Sequence, residues 1–240
     1  MKNVIKQLFS LLGYKVSRIM PPTPPVDPWT WLKKYSISTI IDIGANEGQF
    51  ADKILPIFPN AEIHCFEPIP EVFGRLQRHF EWNSKVQVHN YGLGEVAEKK
   101  QIFTNEYSPS SSMLEMLDLH KSNFDFAVKV EPLYISVARL DDFFSSALAR
   151  PLLVKIDVQG YEMFVLRGGA KVIDQADVVI IETTFQPLYK DQPLFDDIYT
   201  WFTARGFYYS GNIEQLLAPV DRHILQADAI FIRSGLTKPS

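Results

Sequence analysis

The sequence predicts an α/β domain, a mostly parallel sheet covered by helices on both faces. Strand-like segments alternate with helix-like ones along the chain. The strand-like segments are also nearly continuous apolar runs, as in "TIIDIG", "PLLVKID" and "ADVVIIETT", rather than apolar/polar alternations. Such runs belong to strands buried on both faces, and crossover helices provide that cover in a parallel sheet. The last two strand-like segments, "FYYSGN" and "ADAIFIRS", have no clear helix between them and are expected to pair antiparallel at one edge.

Taken in order, "MKNVIKQLFSLLGYKVSRIM" carries Ile5, Leu8, Phe9, Leu12 and Val16 at helical spacing, with Lys2, Lys6, Lys15 and Arg18 interleaved. It reads as a short helix packing on the domain or, more sharply, as a basic amphipathic helix in which residues 1–20 rest on a membrane surface. The unbroken apolar region and small-residue cleavage site of a signal peptide are missing. "MPPTPPVDP" follows as a stiff linker, because proline fixes φ and lacks an amide donor. Residues 1–28 are therefore expected to be helix and linker, and residues 29–240 a single domain.

Within that domain "WTWLKKYS" reads as a short helix, "TIIDIG" as a buried strand, and "NEGQFADKILPIF" as a helix broken by Pro56. "AEIHCFEP" is a strand ended by Pro68, "PEVFGRLQRHFEWN" a helix, and "VQVHNYGLGE" a strand expected to stop at Gly92. Residues 95–138 change character, with short strands and loops rich in Ser and aromatics, and read as an insert suited to acceptor recognition. "PLLVKIDVQG", "YEMFVLRGGAKVI" (a helix closed by glycines), "ADVVIIETT" and "FDDIYTWFTARG" restore the strand–helix alternation.

The net charge is −4 with acids and bases interspersed, so the basic excess usual in a nucleic-acid binder is missing. Cys65 is the only cysteine, which excludes an intrachain disulfide and fits a reducing, cytoplasmic setting. No apolar run approaches the roughly 20 residues that span a bilayer.

In an open parallel sheet, ligands bind beyond the C-terminal strand ends. There the first strand runs into Asp42-x-Gly44-x-Asn46-x-Gly48, and Glu67 follows Gly48 by 19 residues, where a ribose is usually gripped. A dinucleotide site would want G-x-G-x-x-G so that helix amides can cradle a pyrophosphate. An acid before the glycine repels phosphate and suits a cationic amino group. Charge therefore favours S-adenosylmethionine over NAD. The alternatives are an NAD-linked oxidoreductase and a non-catalytic S-adenosylmethionine-binding module.

With "DIGANEGQF", "FEPIPEVF", "NYGLGE", Ser110–Ser112, "ARLDDFF", "LLVKIDVQGYEMFVLRGG" and "IIETT" in order, the chain resembles the FkbM-type S-adenosylmethionine-dependent methyltransferases from about Ile37 to Ser234. The resemblance implies a class I methyltransferase (Rossmann-like) sheet of seven strands, order 3-2-1-4-5-7-6, with strand 7 antiparallel. It implies methyl transfer to a hydroxyl of a sugar, glycolipid or polyketide-like product. Asp42, Gly44, Asn46 and Gly48 would surround the methionine part of the donor, Glu67 the ribose, and Gly92 with Leu93 the adenine. Ala45 and Pro68 are counted with that donor site.

Transfer to a hydroxyl requires a proton acceptor beside the donor. Asp157 is the favoured base or base-orienting group, with Lys155 or Glu182 supporting it; a purely structural Lys155–Asp157 ion pair is the competing reading. His120, near Tyr107, Ser111 and Ser112 in the insert, is a second candidate base. Glu162, in a first helical turn, reads as a cap, and His64 and His89 as hydrogen-bonded core groups. Asp157 and Glu182 have the chemistry to share Mg²⁺, but two oxygen ligands are few. No His/Cys cluster has zinc spacing, so no metal ligands are assigned. Tyr107, Phe124, Phe126, Tyr161, Phe185 and Tyr189 are either sugar-stacking rings or core.

Overall fold

A computed structural model describes residues 27–104, 131–144, 146–188 and 192–236, together with Gly13. A single 3₁₀ turn, Thr30–Tyr35, buries Leu32 and Tyr35 ahead of the first strand. The strands then run β1 (Thr39–Ile43), β2 (Glu62–Phe66), β3 (Val86–His89), β4 (Gly92–Leu93), β5 (Glu98–Thr104) and β6 (Glu131–Ala138). They continue with β7 (Leu152–Ile156), β8 (Val178–Thr184), β9 (Phe207–Leu217) and β10 (Ile224–Arg233). The helices are α1 (Gln49–Ile54), α2 (Pro70–Phe80), α3 (Leu140–Phe143), α4 (Glu162–Gly168), α5 (Ala170–Ile173) and α6 (Phe195–Thr203).

Seven strands form one sheet in the order β3-β2-β1-β7-β8-β10-β9. Counted along the chain within that sheet, this is 3-2-1-4-5-7-6, and β10 alone runs antiparallel to both its neighbours. β1 is central and buried at every residue. Alternation sends Ile40, Leu153, Ile180 and Ile230 to one face, under the 3₁₀ turn, α1 and α2. Ile41, Val154, Ile181 and Phe231 go to the other, under α3 to α6. α2 shows the local logic: Pro70 opens it at a position where no amide is needed, and Val72, Leu76 and Phe80 form its buried stripe. Each such side chain contributes about 1.5–3 kcal/mol of burial.

Two boundaries differ from expectation. The third strand stops at His89 rather than Gly92, because Gly92–Leu93 leaves the large sheet and pairs parallel with Val137 and Ala138 of β6. With β5 antiparallel to β6, these three form a small second sheet, two of whose strands come from the 95–138 region. The helix expected over 161–173 is two helices parted at Gly169. A Cβ at Gly168 would lie 1.8 Å from the Gly94 carbonyl oxygen, so that glycine serves a close approach to the chain after β4 as well as a helix end. Residues 1–12 and 14–26, with the expected N-terminal helix and most of the linker, lie outside the described residues, as do 105–130. Among the described residues no helix is long and apolar enough to cross a membrane.

Candidate active site

β1 ends beside the loop that the sequence singles out. The amides of Gly44 and Ala45 both donate to the Phe66 carbonyl, each at 3.0 Å, tying the loop to the end of β2. Gly44 takes φ +84°, and a Cβ there would sit 1.9 Å from the Asp157 carbonyl oxygen. Only glycine lets the loop lie against the chain leaving β7 in this way. Asn46 is also left-handed, at φ +48°. Its amide donates to Glu67 Oε2 at 3.1 Å, while the Ile69 amide donates to Oε1 at 2.8 Å. The Glu67 carboxylate thus spans from the loop to the chain beyond β2. Asn90, which the sequence did not mark, braces the same corner: its Nδ2 donates to the carbonyls of Glu67 (2.9 Å) and Pro68 (3.1 Å). Gly92 and Leu93 are buried in β4.

Burial pushes the Asp42 carboxyl up to about 7, with Lys155 opposing and Asp157 and Glu67 adding to the rise. Burial likewise raises Glu67 to about 7 against its two backbone hydrogen bonds. Asp42 Oδ2 is buried and has no hydrogen-bond partner among the described residues. An orphaned buried carboxylate oxygen beside a glycine turn fits the ammonium end of S-adenosylmethionine.

Next to this loop lies a row of charge on one sheet face. Asp42 is level with Lys155 across β1 and β7, and Glu182 is level with Asp228 across β8 and β10. Lys155 Nζ donates to Asp228 Oδ1 at 2.8 Å and to Asp157 Oδ2 at 3.4 Å. Burial alone would lower the Lys155 pKa, but Asp157 and Asp228 carry it well above the ordinary value. Gln159, at φ +52°, donates through Nε2 to Asp157 Oδ1 (2.9 Å) and Glu182 Oε2 (3.1 Å). Burial, with Asp157 and Glu162 adding, raises Glu182 well above the carboxylate range, Lys155 opposing. Glu182 sits two residues inside β8 rather than at its end.

The structure brings Asp157, Lys155 and Glu182 together and adds Asp228 and Gln159, which sequence reasoning missed. A signal for Asp228 existed: "LQADAIFI" places two polar side chains at alternate positions of an otherwise apolar strand. Glu162 Oε1 accepts from the amides of Gly160 (3.0 Å) and Val158 (3.4 Å), holding the turn after β7, as its capping role requires. His64 Nδ1 and His89 Nε2 lie 3.3 Å apart in a partly buried pair away from this row. Tyr161 is core, stacked on Phe164. Phe185 is exposed and stacked on Phe195. His120, Tyr107, Ser110–Ser112, Phe124, Phe126 and Tyr189 lie outside the described residues. Among the described residues no group of three or more His, Cys, Asp or Glu side chains is arranged to hold a metal ion, and the Gln159 amide bridges the two acids considered for Mg²⁺.

The sheet order, the glycine turn after β1 and the acid after β2 are those of the class I methyltransferase fold. Residues 42–209 match the methyltransferase FkbM domain, and the chain belongs to that family. It is 28% identical over 165 residues to the 2-O-methyltransferase NoeI of Sinorhizobium fredii, covering 64% of this chain and 66% of that protein. It is 31% identical over 159 residues to Methyltransferase 1 of Beauveria bassiana, covering 60% of this chain and 64% of that protein. The chain thus spans just under two thirds of the length of each of these curated relatives. The crystal structure of methyltransferase FkbM from Methylobacillus flagellatus superposes with a TM-score of 0.52 at 15% identity, covering 82% of this chain and 44% of that one. That likeness concerns the fold. Family membership favours the methyl-donor reading of the loop over the dinucleotide one.

Proposed function

We propose that the protein transfers the methyl group of S-adenosylmethionine to a hydroxyl of a sugar, glycolipid or polyketide-like small molecule. The observation that carries this reading is the contact of Gly44 with the Asp157 carbonyl, which sets the donor loop directly beside the acid cluster. The similarity to a 2-O-methyltransferase supports oxygen as the methylated atom.

In this reading Asp42 faces the donor's ammonium, Gly44, Ala45, Asn46 and Gly48 line its amino-acid end, Glu67 and Pro68 adjoin the ribose, and Gly92 with Leu93 adjoin the adenine. Bound there, S-adenosylmethionine supplies a methyl group already activated on its sulfonium. The chain's own task is to hold the acceptor oxygen in line and take its proton. Asp157 is the group for that proton. Lys155, anchored by Asp228, reaches its Oδ2 at 3.4 Å, and Gln159 fixes its orientation against Glu182. His120 remains a second candidate base.

Residues 29–240 act in this proposal as one methyltransferase domain with acceptor recognition in the 95–138 insert. Residues 1–28 precede it as an amphipathic arm and linker. Deleting residues 1–25 tests that arm by vesicle flotation; unchanged partitioning removes the membrane role.

The main test follows radiolabelled methyl transfer from S-adenosylmethionine to a panel of glycosides, with wild type, Asp42→Ala and Asp157→Asn compared. Donor binding lost in Asp42→Ala, and turnover lost in Asp157→Asn with donor binding kept, is the expected result. If wild type does not bind S-adenosylhomocysteine, the proposal fails.

A further inference from the structure

The sheet face that carries Lys155 and Glu182 stays polar for one rung beyond them. Thr184 of β8 lies opposite Gln226 of β10, just as Glu182 lies opposite Asp228. Deeper along the same two strands the pairs are Ile180 with Ile230 and Val178 with Ile232. A two-by-two block of polar side chains on β8 and β10, above rungs that are apolar on the same face, is not what packing of the sheet requires.

Thr184 and Gln226 are buried, at 2% and 6% exposure. Thr184 is accounted for: its hydroxyl oxygen accepts from Gln192 Nε2 at 2.8 Å, and Gln192 Oε1 accepts from the Leu188 amide at 2.9 Å. Gln226 is not, because its Nε2 is buried and has no hydrogen-bond partner among the described residues. A buried amide donor lacking an oxygen is costly, and the side chain asks for an acceptor atom the folded chain does not provide. The backbone is irregular at the same place. Pairing of β10 with β9 slips between Ile224 and Gln226 and again between Ala227 and Ala229. Bulges of this kind re-aim side chains beside functional sites.

We propose that Glu182, Asp228, Thr184 and Gln226 form the acceptor subsite, that it takes a pyranose ring with vicinal hydroxyls, and that Gln226 Nε2 donates to one of those hydroxyl oxygens. This rests on the methyl-transfer reading above and adds to it the ligand class and the residues that hold it. A hydroxyl both donates and accepts, so a diol can pair with the carboxyl groups of Glu182 and Asp228 and with an amide donor at once. An apolar acceptor would leave them all unmatched, and a phosphate would add negative charge beside acids that burial already keeps from ionising freely.

The experiment is calorimetric titration of the full chain, loaded with S-adenosylhomocysteine, with the methyl α-glycosides of glucose, galactose and mannose, for wild type and Gln226→Leu. At least one glycoside binds wild type, and Gln226→Leu weakens it about tenfold or more while S-adenosylhomocysteine binding is unchanged. The melting temperature of Gln226→Leu stays level or rises, since the substitution removes an unpaired buried donor. A lower melting temperature assigns Gln226 a structural role and overturns the proposal. So does a glycoside that binds both forms equally, or the failure of all three to bind a protein that holds S-adenosylhomocysteine. Failure of wild type to bind S-adenosylhomocysteine instead overturns the methyl-transfer reading beneath it.

Discussion

Lys155 and Asp228 meet at 2.8 Å across a gap of 73 residues, one from the fourth strand of the sheet and one from the last. The Lys155 side chain is 7% exposed and that of Asp228 14%, so the pair is largely buried. Removing one member of such a pair strands the other charge at a cost of about 3–5 kcal/mol, whereas replacing both by apolar groups is often neutral. Lys155→Met is therefore expected to destabilise the fold strongly in urea denaturation, and Lys155→Met with Asp228→Leu to recover most of the loss. Equal stability of the single variant and wild type would contradict the pairing.

Stability should also follow pH through Asp42 and Glu67. Both hold protons up to about 7 when folded, against ordinary values of 3.8 and 4.5. Their contribution is complete below the ordinary values and is lost as pH rises through about 7, at roughly 1.4 kcal/mol per group per unit inside that window. His64 and His89 act in the opposite sense. Burial lowers both, His89 to about 4, so they weaken the fold as pH falls below the ordinary 6.5. Comparing wild type with Asp42→Asn cancels the histidines. Wild type should lose ground to Asp42→Asn in melting temperature as pH rises from about 5 to about 8. Affinity of wild type for S-adenosylhomocysteine should rise over the same interval, because its ammonium favours ionised Asp42. A pH-independent difference between the two proteins would count against a buried, proton-holding Asp42.

Two glycines with positive φ separate conformational cost from steric cost. Gly206 has φ +77° and open space where a Cβ would go, so Gly206→Ala should cost only about 1–2 kcal/mol. Gly44 combines φ +84° with the Asp157 carbonyl 1.9 Å from the added carbon. Gly44→Ala should cost clearly more in chemical denaturation and should lose S-adenosylhomocysteine binding. Similar costs for the two would mean that the loop does not lie against Asp157.

Asp157→Asn should lower kcat by about 10²–10⁴, the range for loss of a positioned proton acceptor. Glu182→Gln should lower it less, since the Gln159 contact survives in weakened form. Neither should alter binding of S-adenosylhomocysteine greatly. If Glu182→Gln is the more damaging, the two acids exchange roles.

The half of the site built from adjacent chain was legible in the sequence. Asp42, Gly44 and Gly48 follow a continuous apolar strand and open a helix, and Glu67 ends the next strand, so local pattern and spacing place all four. Asp228 and Gln226 showed in the sequence only as polar positions in an apolar strand, because their meaning depends on which strand lies beside β8. That neighbour is β10, entering antiparallel from a distant part of the chain. The end of β3 was misjudged for a related reason: "VQVHNYGLGE" looks continuous, but Asn90 binds backward to Glu67 and Pro68 and the chain changes sheets at Gly92. Gly168 looked like a helix end because contact with the Gly94 carbonyl is invisible in one dimension.

The reversed direction of β10 has a bearing on how the molecule is made. A ribosome delivers Lys155 well before Asp228, and the strand that carries Asp228 must insert between β8 and β9 to reach it. Until then the ammonium has Asp157, Asp42 and Glu182 near it but lacks its shortest contact, and a charge less well matched resists being sealed from water. Until β10 arrives β8 has no partner on that side, and a chain cut short before Asp228 would leave that strand edge unpaired.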